Sequence, residues 1–109
     1  MIEPERLHHL RTLADLVRDR DLSRLRLASL RKTQTETLLG MLNESRSGAD
    51  LNPVIAAQVV DRFGLWTTNR RILLNQQLAR DTVVWMAARS DAQRSFGRAA
   101  VLGKLTSKR

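Results

Sequence analysis

One strong break constrains this chain more than any other feature. Residues 43–53, Asn-Glu-Ser-Arg-Ser-Gly-Ala-Asp-Leu-Asn-Pro, separate two long segments that both read as helix. Gly48 interrupts helical propensity, and Asn52 followed by Pro53 supplies an N-cap and a first helical residue whose missing N–H costs nothing. Pro4 sits in an equivalent place, with Glu3 and Glu5 against the positive end of a helix dipole. The spacing predicts a helix over about 4–43, a turn over about 44–52 and a helix over about 53–105, all within one domain.

The expected fold class is therefore all-α, a long antiparallel two-helix coiled-coil hairpin, with allowance for a kink in the first helix and for self-association. On the first helix Leu7, Leu10, Ala14 and Val17 share a face, and Leu25, Ala28, Leu39 and Leu42 return to it after a polar interruption over 18–24. A second stripe of Leu16, Leu27, Leu30, Leu38 and Met41 lies round the cylinder, more than one hairpin partner buries. The second helix carries a roughly heptad-spaced seam: Ile55, Val59, Phe63, Trp66, Leu73, Leu74, Leu78, Trp85, Ala88, Ala92, Ala99 and Leu102. Polar gaps fall at Arg70 and Asp81, and Gly64, Gly97 and Gly103 weaken the helix locally. At 1.5 Å per residue the arms measure roughly 60 and 75 Å. If both start at the turn, residues 96–105 overhang the N-terminus as an apolar and basic end.

Formal net charge is +8 and the sequence pI about 11.5, values that suit an acidic protein, a nucleic acid or an anionic membrane surface. Acidic residues interleave with the basic ones, as at Arg18, Asp19, Arg20 and Asp21, which reads first as a solvated helix face with local ion pairs. No cysteine is present, so disulfides and thiolate metal sites are excluded. No apolar run approaches the roughly 20 residues of a membrane span, and the acidic N-terminus lacks a secretory pattern. A cytoplasmic location is expected, with peripheral membrane association left open.

Chemistry is hard to assemble from these residues. His8 and His9 are neighbours, about 100° apart on a helix, instead of the i and i+4 pair a metal needs. The glycines stand singly and form no phosphate loop, and Thr33, Thr35, Thr37, Thr67 and Thr68 have no positioned base. The expectation is no catalytic residue, no cofactor and no metal. Large side chains suggest contact work instead. Phe63, Trp66 and Met41 form a candidate patch near the hairpin end, although core packing is the first reading of Trp66 and Trp85. Arg94, Arg98, Lys104, Lys108 and Arg109 cluster with Val101, Leu102 and Leu105 at the other end, fit either for docking on an acidic rim or simply for favouring the helix dipole.

With the hairpin plan, residues 78–105 and the ending Ala99-Ala-Val-Leu-Gly-Lys-Leu105 in view, the sequence resembles the FliJ and YscO group. These are small, charged, cytoplasmic coiled-coil proteins of flagellar and virulence type III export. The resemblance implies a non-enzymatic stalk or chaperone whose open end enters the export ATPase ring and whose hairpin side meets the export gate, at the inner face of the membrane. It would set Arg98, Lys104 and Leu105 toward the ring and make Leu38, Met41, Phe63 and Trp66 candidates for gate or chaperone contacts. Two alternatives come from the residues alone: a basic helical nucleic-acid binder, and a structural homo-oligomer joined through the second stripe of the first helix.

Overall fold

The structure, a computed structural model, describes residues 3–44 and 53–107, including their side chains except those at 53–57, 59 and 60. Of the expected turn over about 44–52, Glu44 ends α1 and the rest, with Gly48 and the Asn52 cap, lies outside the described residues, as do the side chains of Ile55 and Val59, and Lys108 and Arg109. The chain is all-α, a two-helix hairpin: α1 is Pro4–Glu44 and α2 is Pro53–Ser107, with no strand among the described residues. Both helices open on proline, as the fixed φ and missing donor of that residue favour.

Contacts gather the chain into two units, one of Met1–Leu30 with Val83–Arg109 and one of Arg31–Thr82. In the first unit, burial on α1 falls at Leu7, Asp21 and Ala28, with Ala14 half-buried, and on α2 at Ala92, Ser95 and Ala99. In the second it falls at Thr35 and Leu42 on α1 and at Thr67, Leu74 and Asp81 on α2. Spacings of seven, with intervening steps of three and four, are the signature of helices packed along a coiled-coil seam. The pairing is antiparallel in each unit. Arg11 donates to the Thr106 hydroxyl at 2.8 Å and Ser95 to Asp21 in the first, while Thr35 donates to Asp81 at 2.6 Å and Arg71 to Asn43 at 2.8 Å in the second.

This register corrects four expectations. Residues 96–105 do not overhang the N-terminus: Thr106 meets Arg11, and Ala99 is buried. The arms do not start level at the turn, because α2 has already passed through residues 53–70 when Arg71 reaches Asn43 near the end of α1. Trp66 and Leu73 are exposed at 55% and 57%, since the seam runs through their neighbours Thr67 and Leu74. Leu10 is likewise exposed. Finally, Asp21 belongs to the buried seam and not to a solvated face, and Asp81 fills what looked like a gap in its own helix's stripe.

The stripe of Leu16, Leu27, Leu30, Leu38 and Met41 is exposed throughout. Local ion pairs join Arg18 to Asp15 and Asp19, Arg20 to Asp21, Lys32 to Glu36 and Arg94 to Asp91. Apart from Arg20–Asp21, whose carboxylate is buried, these pairs are exposed and contribute little to stability, so the seam carries the fold.

Candidate docking surfaces

Two carboxylate–hydroxyl layers are the most polar features of the interior. In the first unit Ser95 on α2 donates to Asp21 on α1, and the Arg20 Nε donates to the same carboxylate at 3.2 Å. In the second the arrangement is reversed, with Thr35 on α1 donating to Asp81 on α2 and the Gln77 amide donating to its other oxygen at 2.8 Å. Each hydroxyl also lies near the carbonyl four residues earlier, Asp91 or Arg31, but its one hydrogen goes to the charged acceptor, the stronger partner.

Both acids are held below the ordinary carboxylate range. For Asp21 the Ser95 hydrogen bond is the main cause, burial opposes it, and Arg20 and Arg24 add to it. For Asp81 the Thr35 and Gln77 hydrogen bonds lead, burial again opposes them, and the charges of Arg31 and Arg80 help. A depressed carboxylate with its oxygens occupied by fixed donors is suited to holding register and not to accepting a substrate proton. Among the described residues, no group of three acidic or histidine side chains has the arrangement to bind a metal ion. No described helix is long and apolar enough to cross a membrane.

The surface is where apolar area accumulates. In the second unit Leu38, Met41 and Trp66 line one open groove together with Leu42, Arg70 and Leu74. Phe63 stacks on Trp66 with ring centroids 5.9 Å apart and planes inclined by 26°. All four side chains expected near the hairpin end are thus gathered on one unit. Leu38 and Met41 share one face of α1 and Phe63 and Trp66 one face of α2, and the groove runs from the α1 pair along α2 to Trp66 near the end of α1.

In the first unit a larger groove is almost wholly apolar, walled by Leu10, Leu13 and Val17 of α1 and Val101 of α2, with Arg94 and Arg98 on its border. Of the three residues expected at the C-terminal end, Arg98 belongs to this groove. Lys104 and Leu105 are exposed and outside its lining. The α1 wall was missed in the sequence because Leu10 and Val17 were assigned to the core. Leu10 and Val17 follow the seam positions Leu7 and Ala14 by three residues, which puts them at the edge of that stripe, and there Leu10 is exposed and Val17 half-buried.

Comparison with known proteins finds no match: no protein family, no curated protein and no solved structure matches the chain.

Proposed function

We propose that this protein works by docking, as a non-enzymatic coiled-coil adaptor whose exposed apolar grooves receive segments of other proteins. The observation that carries the reading is the groove of Leu38, Met41 and Trp66, extended by the Phe63 stack. Trp66 leaves more than half its surface in water, and aromatic and methionine side chains set against Arg70 are the composition of an interface anchor. Aqueous exposure of several such residues is costly unless another chain covers them.

In its finer form the proposal follows the FliJ and YscO resemblance, in which the second-unit groove meets the export gate or a chaperone. The first-unit groove, with Arg98 beside it and Lys104 and Leu105 beyond, meets the export ATPase ring. The supports are the two-helix hairpin plan, the ending over 99–105 and the basic charge. The protein would act in the cytoplasm at the inner face of the membrane.

The test is a co-purification of tagged protein from its native cells, with and without nuclease and at two salt concentrations, beside the variant Met41→Ala/Trp66→Ala. Nuclease-resistant recovery of an export ATPase or gate subunit, lost in the variant, supports the finer reading. Discrete protein partners of another kind, equally dependent on Met41 and Trp66, support docking alone. Capture of nucleic acid, with partners that vanish on nuclease treatment and steep weakening by salt, would replace the reading with a nucleic-acid function.

A further inference from the structure

We infer that the outward face of α1 within the first unit is a self-complementary interface, and that two copies of the chain pair antiparallel through Leu13, Leu16, Leu27 and Leu30. The inference stands on a surface separate from the second-unit groove, shares only Leu13 with the first-unit groove, and does not rest on the function proposed for either. These leucines are exposed at 58%, 61%, 56% and 54%. Leu16 and Leu30 stand two residues beyond Ala14 and Ala28, about 200° round the helix from the buried stripe. The hairpin therefore does not cover this face.

Its spacing is that of a seam. Leu13, Leu16, Arg20, Ser23, Leu27 and Leu30 alternate steps of three and four, the knob positions of a coiled coil. Their order is also palindromic. Laid against itself in the opposite direction, the segment puts Leu13 on Leu30 of the second copy, Leu16 on Leu27, and Arg20 on Ser23. A two-fold interface demands that kind of match, because each patch must complement itself.

Charge selects both direction and occupant. A parallel pairing of two copies would set Arg20 against its own counterpart inside the seam, whereas the antiparallel pairing gives it a hydroxyl. On one flank Asp19 and Arg26 are a heptad apart, and the antiparallel register brings Asp19 of each copy opposite Arg26 of the other, twice by symmetry. Both residues are exposed. An unrelated partner would need neither the palindrome nor the paired charges.

Sedimentation of the full chain, with circular dichroism as the check on helix content, tests this. The wild type should dimerise, and Leu16→Ser/Leu27→Ser should weaken the dimer by on the order of a hundredfold at unchanged helicity. Asp19→Arg alone should weaken it about fivefold, and Asp19→Arg/Arg26→Asp should restore it. Should the leucine variant lose helix, the charge exchange decides. Because the chain has no cysteine, an oxidised mixture of Arg20→Cys and Ser23→Cys chains should cross-link as the mixed pair. A wild type monomeric up to about 1 mM, an oligomer indifferent to these leucines, a charge exchange that fails to restore, or preferential cross-linking of Arg20→Cys to itself would each overturn the proposal.

Discussion

The two units use one seam pattern with different side chains. In the first unit the buried apolar positions beyond Leu7 are alanines, Ala28, Ala92 and Ala99, while its leucines Leu13, Leu16, Leu27 and Leu30 face water. The second unit turns Leu42 and Leu74 inward and leaves an aromatic pair at its surface. Small seam residues let backbones approach closely but remove little apolar area from water, so stability per layer is lower where alanine fills the seam. The first unit thus spends its large side chains on the outside, where another chain can use them, and the second has a sturdier interior.

The largest expected effects break that contrast directly. Leu42→Ala or Leu74→Ala should each destabilise the protein by about 2–4 kcal/mol, through lost burial and an unfilled gap. Ala92→Leu should cost less, about 1–3 kcal/mol, because an added isobutyl group must force apart a seam built for a methyl. Urea unfolding read with amide hydrogen exchange measures both, and the losses should appear first in the unit that carries the change. If Ala92→Leu stabilised the protein instead, the first unit would have room in its seam and the comparison would fail.

Acid should weaken both units, since each holds one depressed carboxylate on its seam. A carboxyl group whose folded pKa lies below its unfolded value, about 3.9 for aspartate, gives its full stabilisation above that value and loses it as pH falls through the lower folded one. The melting temperature should therefore be level with respect to these two groups above roughly pH 5 and drop below roughly pH 4. Asp81→Asn removes the share of the second unit, so its melting temperature should fall less steeply between those conditions and pH 2. An unchanged acid slope in that variant would show that Asp81 is not depressed.

Much of the fold was legible in the sequence. Pro4 and Pro53 announced both helix starts, and Leu7, Ala28, Leu42, Leu74, Ala92 and Ala99 fell on the stripes expected of them. What failed was the treatment of polar residues as interruptions. Asp21 lies seven residues before Ala28 and Asp81 seven after Leu74, so a strict heptad count would have placed both on the seam despite their charge. The pull of large side chains misled in the same way, drawing Trp66 and Leu73 inward when Thr67 and Leu74 hold those places. Register was not legible, because helix lengths alone do not say which end is flush. The Arg11–Thr106 and Arg71–Asn43 hydrogen bonds do. Leu38, Met41, Phe63 and Trp66 were singled out by size and lie on one unit, while the apolar wall of Leu10, Leu13 and Val17 was not singled out, for want of that register.

Thr67 is a smaller and sharper probe of the second unit. It is 5% exposed, and its hydroxyl has no hydrogen-bond partner among the described residues. An unsatisfied buried hydroxyl is costly, and valine keeps the β-branched shape without it. Thr67→Val should raise stability by about 1 kcal/mol by urea titration. A loss of similar size would reveal a partner for the hydroxyl and make this seam position a third polar layer.

The least of the expected effects separates backbone from seam. Gly40 in the second unit and Gly97 in the first both lie within helices, and an added Cβ at either would meet nothing within 4 Å. Glycine loses more conformational freedom than alanine on entering a helix, so Gly40→Ala and Gly97→Ala should each stabilise by about 0.5–1 kcal/mol. The two gains should be equal if the units differ only in what fills their seams. Gly97 also lines the first-unit groove, so a gain at Gly40 with none at Gly97, read by thermal melting, would mean that the open side of that groove is covered in solution.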